Sequence, residues 1–131
     1  MRYALLIYND TEQWQKEYGN DPSQQTRDYG VYTQSLIDRG VMRGGEALQP
    51  TTTATSVRIR GGQRLVTDGP FAETKEALGG FYLIEARDLD AAIELAAQCP
   101  GARAGTMEIR PIMDVELPAN SSAQPTSAAS A

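Results

Sequence analysis

The chain has 131 residues and a formal net charge of −5, with 12 basic and 17 acidic side chains, one cysteine and no histidine. This length suits one domain, and a hydrophobic content of 40% can bury a core, which excludes wholesale disorder. The missing histidine excludes Ser-His-Asp and Cys-His catalysis and histidine-ligated zinc. A single cysteine excludes an intrachain disulfide. Nucleic acid is a poor partner for an acidic chain, because phosphate binding needs clustered cations.

The first half of the chain predicts a strand, a helix and a second strand. Arg2–Tyr8 is strand-like and too short for a membrane span or a signal-peptide core, so we expect a cytoplasmic protein with no membrane partner. Polar residues over Asp10–Asp21 predict a short amphipathic turn. Apolar residues at helical spacing over Gln24–Arg39 predict a helix that ends at Gly40. Val41–Leu48 predicts a weak strand.

The second half predicts a hairpin followed by strand, helix and strand. The hairpin is indicated by two alternating segments joined by a two-residue glycine turn, and the next helix by an aspartate in the N-cap position. The predicted elements are, in chain order, strand Thr55–Arg60, turn Gly61-Gly62, strand Gln63–Thr67, strand Gly80–Ala86, helix Asp88–Gln98 and strand Thr106–Met113.

The end of the chain differs in composition from the rest. Pro118–Ala131 carries no charge and consists almost entirely of Ala, Ser, Pro, Thr, Gln and Asn. Such a segment cannot bury enough apolar surface to offset the entropy of ordering. We therefore expect one domain over residues 1–116 and a disordered Ala/Ser/Pro-rich tail over residues 117–131.

Without the hairpin, the element order is β-α-β-β-α-β, which predicts an α+β fold with a ferredoxin-like unit and an inserted hairpin. Two helices cover only one face of such a sheet. The first strand is nevertheless apolar on both faces, with Tyr3, Leu5 and Ile7 alternating with Ala4, Leu6 and Tyr8. A sheet with one wet face should alternate between apolar and polar residues. We therefore expect a homodimer in which two sheets stack face to face.

The segment Val66–Phe81, VTDGPFAETKEALGGF, closely resembles the signature of the DGPF branch of the YCII-related family. The resemblance extends over Met1–Met113 through MRYALLIY, GVMRGGEALQP, TSVRIRGG and MEIRPIM. It implies a dimeric α/β barrel built from ferredoxin-like halves. It also implies a functional link to an extracytoplasmic-function sigma factor, because many members are encoded beside one. Other branches resemble enzymes that use a His–Asp pair, and this chain has Asp68 without any histidine.

The block Asp68–Phe71 has two interpretations. Asp, Gly and Pro are typical of a turn, in which the aspartate accepts hydrogen bonds from nearby backbone. Alternatively, Asp68 lies at the rim of a pocket and acts as a general acid or base or as a ligand anchor. That role requires partial burial that raises the pKa of its carboxyl group.

The charged residues after this block also have two interpretations. Pro70 and Gly79 predict a single short helix around Glu73, Lys75 and Glu76. These side chains either belong to a solvated segment or line the same cleft as Asp68. The carboxylates could hold a hard cation, but their spacing matches no metal motif, so we expect no metal.

Two further residues are candidates for the same site. Glu46 is either a strand-edge carboxylate that faces water or one of a proton-sharing pair with Asp68. Arg110 shares one face of the last strand with Glu108, and it either forms a cross-strand ion pair at the sheet edge or holds the carboxylate of a substrate. Cys99 lies at the end of a helix and is interpreted as an inert packing residue.

Two hypotheses of function follow. The first is a regulatory homodimer without cofactor that binds one small molecule per chain, with the binding residues Glu46, Phe71, Glu73, Lys75 and Arg110. The second is a small cofactor-free isomerase, lyase or hydrolase that acts on an acidic or aromatic metabolite, with Asp68 as the acid–base residue. A purely structural or partner-binding role is a third alternative.

Overall fold

The structure, a computed structural model, describes residues 1–115. The predicted tail over residues 117–131 lies outside the described residues. The elements are, in chain order, β1 (Arg2–Asp10), α1 (Thr11–Tyr18), α2 (Pro22–Asp38), β2 (Met42–Ala47), a 3-10 turn (Thr51–Thr53), β3 (Thr55–Arg60), β4 (Gln63–Asp68), β5 (Glu76–Glu85), α3 (Leu89–Ala97), α4 (Gly101–Ala104) and β6 (Gly105–Pro111).

Four strands form the main sheet in the order β2-β5-β1-β6, and every neighbouring pair is antiparallel. The segment with α1 and α2 connects β1 to β2, and the segment with α3 and α4 connects β5 to β6. Each connection passes over one intervening strand. The hairpin β3–β4 forms a separate two-stranded sheet. The prediction of a mixed α+β fold with antiparallel sheets is confirmed, and the described residues form no closed barrel.

Local sequence signals set the ends of the helices. Asp10 caps α1, because its carboxylate accepts hydrogen bonds from the backbone N–H groups of Glu12 and Gln13. The predicted amphipathic turn is therefore a true helix. Helix α2 ends where Gly40 adopts a φ of 71°, and the Val41 N–H donates to the Leu36 carbonyl at 3.1 Å. This left-handed glycine ends α2 as predicted.

The core lies between the helices and one face of the sheet. Alternate residues of β1 and β5 point into it, and the Tyr32 hydroxyl of α2 donates to the Leu95 carbonyl of α3 at 2.8 Å. Cys99 is fully buried in this core, as expected of a packing residue. The buried core residues are Tyr3, Leu5, Ile7, Tyr32, Leu36, Tyr82, Ile84, Ala86, Ala92, Leu95, Ala96 and Cys99.

The opposite face of the sheet is also apolar at its centre. Leu6 pairs with Phe81, and Ala4 pairs with Leu83, so these four side chains share one side. All four residues remain partly exposed. We call this surface the outer face, because the helices pack on the other side of the sheet.

The hairpin β3–β4 projects from the body of the chain. Gly61 and Gly62 have φ values of 57° and 77°, as required by the predicted two-residue turn. Val57, Ile59 and Val66 of the hairpin are 59%, 58% and 60% exposed. Among residues 1–115, each hairpin strand pairs only with the other, and the apolar side chains of the hairpin are exposed.

The predicted short helix between Pro70 and Gly79 is wrong. Residues 70–75 have no regular structure, and β5 already begins at Glu76. Glu76 and Ala77 pair with Asp10 and Asn9 of β1. The backbone hydrogen bonds of this long-range pairing override the local preference for a helix. No helix among residues 1–115 is both long and apolar enough to cross a membrane.

Candidate functional site

A cleft of about 650 Å³ lies between α2 and the sheet, on the side of the edge strand β2. Its volume is within the range of small-molecule sites. Helices α1 and α2 form one wall and strands β1, β2 and β5 form the floor. The lining residues are Ile7, Asn9, Trp14, Gln25, Thr26, Tyr29, Thr33, Met42, Gly45, Glu46, Ala47, Leu48, Gly79, Gly80, Phe81 and Tyr82.

The wall from α2 follows from helical periodicity. Gln25, Tyr29 and Thr33 are four residues apart and therefore lie along one side of the helix. The hydroxyl groups of Thr33 and Tyr82 share a hydrogen bond of 2.6 Å. The Tyr82 ring packs edge-on against Tyr32, with 5.3 Å between the ring centroids. These contacts hold the wall and the floor in a fixed relation.

Two glycines of β5 allow close packing at the floor of the cleft. A Cβ atom at Gly80 would lie 2.8 Å from the backbone oxygen of Glu46, and one at Gly79 would overlap the side-chain amide of Asn9. Both contacts are too close for real atoms. A larger residue at Gly80 would therefore displace β2, and one at Gly79 would displace Asn9. Gly79 is the extra residue of the bulge between β1 and β5. The Asn9 amide therefore packs directly over the bulge at the edge of the cleft.

Glu46 borders the cleft but points to the other side of the sheet. It pairs with Phe81 across β2 and β5, and Phe81 pairs with Leu6 on the outer face. Residues directly opposite in an antiparallel pair share a side. The Glu46 carboxylate therefore belongs to the outer face, although its backbone contributes to the floor.

Asp68 lies outside the cleft, at the exposed end of β4 and opposite Thr55. The next residue continues the contact with β3: the Gly69 N–H donates to the Ala54 carbonyl at 2.7 Å, and its carbonyl accepts the Ser56 hydroxyl at 2.9 Å. Gly69 has a φ of 98°, which favours glycine. The hydrogen bonds described at this end of the hairpin therefore come from the Gly69 backbone rather than from the Asp68 carboxylate.

Three other predicted site residues are also exposed. Phe71 is 77% exposed, Glu73 is exposed, and the Lys75 ammonium lies 3.8 Å from a carboxylate oxygen of Glu12. None of the three is among the residues that line the cleft. Within the described part of the chain, no three carboxylate or cysteine side chains converge where a metal ion could sit.

Arg110 lies on β6 opposite Ala4, at the far edge of the sheet from Glu46 on β2. Both side chains are on the outer face. Two strands separate β6 from β2, and neighbouring strands are about 4.8 Å apart, so the two residues are more than about 14 Å apart within one chain. A single chain does not bring Glu46 and Arg110 to one reacting centre.

A polar network fixes α1, α2 and α4 beside the cleft. Asp28 accepts hydrogen bonds from Gln24 at 2.7 Å and from the Tyr18 hydroxyl at 2.8 Å. These bonds stabilise the carboxylate and lower the pKa of Asp28. Arg103 donates to Glu17 at 2.9 Å and to Asp28 at 3.4 Å. The network therefore links the three helices that frame and support the wall.

The buried hydroxyl and thiol groups near the wall are held in their neutral forms. Burial is the largest cause of the raised pKa of Tyr29, and it also raises the pKa of the Cys99 thiol. A thiol with a raised pKa carries little thiolate and is a poor nucleophile at neutral pH. Cys99 is therefore a packing residue rather than a catalytic one.

Sequence reasoning missed most of the cleft. Asn9, Trp14 and Gln25 come from three different elements and carry no motif, so only the tertiary structure brings them together. One available signal was the four-residue spacing of Gln25, Tyr29 and Thr33, which places polar groups on the same helix face as core aromatics.

Comparison with known proteins finds a family match that covers all of the described residues. The YCII-related domain matches residues 1–116. An uncharacterised protein of Rhizobium meliloti (strain 1021) is 39% identical over 117 residues, which cover 86% of this chain and 92% of that protein. The family match thus includes every element of the fold and every residue of the cleft.

Proposed function

Because this chain belongs to the YCII-related family, we propose that it is a homodimeric small-molecule-binding protein of the DGPF branch with a regulatory role. The cleft of about 650 Å³ is the observation that carries the binding function. The block Asp68–Phe71 supports the branch. The regulatory role is supported by the resemblance of the chain to proteins encoded beside sigma factors.

The outer face supports the homodimer. Leu6, Phe81 and Leu83 form an apolar centre on the side of the sheet that no helix of the described chain covers. Its edges carry charges of both signs, such as Glu108 and Arg110 of β6. Such a surface can match the same surface of a second chain around a twofold axis. Stacking two ferredoxin-like sheets in this way gives the dimeric α/β barrel.

The enzyme alternative has weaker support. Asp68 is exposed and forms the end of a hairpin, and it is not among the residues that line the cleft. Acid–base catalysis needs groups within hydrogen-bond reach of one reacting atom. In one chain, Glu46 and Arg110 are on opposite edge strands. A binding protein requires no such convergence.

A thermal-shift screen of metabolites tests the proposed function. We expect at least one compound to raise the unfolding midpoint of the wild type, because a ligand that binds only the folded state stabilises it. The variant Thr26→Trp places a large ring in the cleft from the exposed side of α2 and should abolish this rise. Gln34→Trp, at an exposed position of α2 outside the cleft, should retain it.

Asp68→Asn separates the two functions in the same screen. A stabilising compound that binds this variant as well as the wild type, and that neither protein converts, supports a binding protein. A compound that the wild type converts and Asp68→Asn does not would favour the enzyme. If no compound stabilises the wild type, the proposed function is wrong.

A further inference from the structure

We propose that the cleft binds an uncharged, planar molecule with an amide-like hydrogen-bonding edge. This inference rests on the proposed function, since it assigns a ligand class to the same cleft. It follows from three properties of the described lining residues, which are the absence of cations, the free polar groups and the position of the single tryptophan.

The cleft offers no cation for an acidic ligand. Among its described lining residues there is no lysine or arginine, and Glu46 is the only one with a charge at neutral pH. The pairing of Glu46 with Phe81 directs that carboxylate to the outer face. Lys75, near the start of β5, faces Glu12 instead. An anion would lose its hydration in the cleft without gaining a counter-charge.

The cleft does offer neutral donors and acceptors. The side chains of Asn9, Gln25 and Thr26 line it, and within residues 1–115 they have no hydrogen-bond partner in the protein. Each amide provides two N–H donors and one carbonyl acceptor. By contrast, the hydroxyl groups of Thr33 and Tyr82 already bond to each other. The groups left free therefore suit a ligand edge that both donates and accepts.

A flat ring suits the remaining surface. Trp14 lines the cleft and packs at a tilt against Tyr18, with 6.2 Å between the ring centroids. Tyr18 is buried and belongs to the polar network, so it supports the tryptophan from behind. On the sheet side, Gly79 and Gly80 let the Asn9 amide and the backbone of β2 pack closely against β5. A planar molecule can lie beside Trp14 with its polar edge toward Asn9 and Gln25.

Three probes of equal ring size test the ligand class: benzamide, benzoate and benzamidine. The chain has one tryptophan, so its indole N–H gives a single resonance in a nitrogen–proton NMR spectrum, and this resonance reports directly on the cleft. We expect benzamide to shift it and to bind about tenfold more tightly than benzoate, since a carboxylate lacks the amide donors and carries an uncompensated charge.

The variant Gln25→Glu tests the role of the amide. It keeps the shape of the side chain and places a carboxylate in the wall. We therefore expect benzamidine to bind several-fold more tightly than it does to the wild type, and benzamide to bind more weakly than it does to the wild type, because the amide donors of Gln25 are lost. Gln34→Glu is the matched control, because Gln34 is on the same helix, bonds to Asp38 and does not line the cleft. It should leave all three affinities unchanged.

The outcomes separate this inference from the proposed function. Benzoate binding as tightly as benzamide would overturn the ligand class while the cleft remained a binding site. If none of the probes shifts the indole resonance, the ligand class is also wrong, and the metabolite screen with Thr26→Trp then decides independently whether the cleft binds anything. An equal response of Gln25→Glu and Gln34→Glu would overturn the role of Gln25.

Discussion

At the scale of single residues, Asp28 joins three helices. It accepts hydrogen bonds from Gln24 of its own helix and from Tyr18 of α1, and Arg103 of α4 approaches it at 3.4 Å. These partners favour the ionised carboxylate, so protonation removes their contribution. The stability of the wall beside the cleft therefore depends on the charge state of one side chain.

We predict that Asp28 makes the fold sensitive to acid. Its pKa is lowered in the folded chain, chiefly by the Gln24 and Tyr18 hydrogen bonds. Its stabilising contribution is therefore present above the unfolded pKa of about 3.9 and is lost as the pH falls through the lower folded value. Urea unfolding at about pH 7 and about pH 3 should show a larger loss for the wild type than for Asp28→Asn.

Asp38→Asn provides the control for this measurement. Asp38 accepts a hydrogen bond of 2.9 Å from Gln34, in the same helical spacing as Gln24 and Asp28, but it is exposed and lies outside the network. Asp38→Asn leaves the contacts of Asp28 with Tyr18 and Arg103 in place, so it controls for the removal of one carboxylate from α2. If Asp28→Asn also loses as much stability in acid as the wild type, Asp28 does not carry the effect.

At the scale of elements, two glycines in and after α2 have different backbone conformations. Gly40 follows the helix with a φ of 71°, while Gly30 lies inside the helix. At either position, a Cβ atom would have no other atom of the described chain within 4 Å beyond its immediate surroundings in the backbone. Because space is open at both positions, conformation alone decides the effect of a larger residue. The pair therefore isolates backbone geometry from packing.

We predict that alanine at these two positions changes stability in opposite directions. Gly40→Ala should lower the free energy of unfolding by about 1–2 kcal/mol, the cost of a left-handed conformation for an L-residue. Gly30→Ala should raise it by about 0.5–1 kcal/mol, because alanine loses less entropy in a helix. Chemical denaturation of both variants and the wild type measures the difference, and effects of the same sign would contradict the assignment of the helix end.

Most elements were predictable because their signals are local. The glycine turn at Gly61-Gly62 connects β3 to β4, and the apolar segment Arg2–Tyr8 lies in β1, as predicted. Around Glu76, the local preference failed because pairing with Asp10 extends β5. The cleft could not be predicted for a related reason: Asn9 and Gln25 meet only after β1 and α2 have packed. A turn depends on residues adjacent in the sequence, whereas the cleft is formed by residues that are distant in the sequence.

At the scale of the molecule, the single chain leaves two apolar surfaces uncovered within residues 1–115. The outer face presents Leu6, Phe81 and Leu83, and the hairpin presents Val57 and Val66. An isolated two-stranded hairpin is marginally stable in water, and a sheet with two apolar faces is more stable when both faces are buried. A second chain on the outer face would bury the apolar side chains of the sheet and provide a packing surface near the hairpin.

We predict that the wild type has twice the chain mass by light scattering and that its thermal midpoint rises with protein concentration. Leu83→Arg places a charge in the centre of the outer face and should give the single-chain mass with no such concentration dependence. Val31→Arg changes a residue of α2 that is 72% exposed and should remain dimeric. A single-chain mass for the wild type at micromolar concentration would contradict the homodimer.

The strand order also determines when the sheet can form. β1 lies between β5 and β6, and both neighbours come much later in the chain. Arg2 pairs with Glu85 and Tyr3 pairs with Pro111, so neither pair can form until the later residue has been synthesised. At a synthesis rate of about 5–20 residues per second, the central strand stays unpaired for several seconds on the ribosome. Its apolar side chains are accessible to chaperones and to aggregation throughout that interval. The long-range pairing further predicts slow folding, because residues distant in sequence must meet before the strands of the main sheet can stabilise one another.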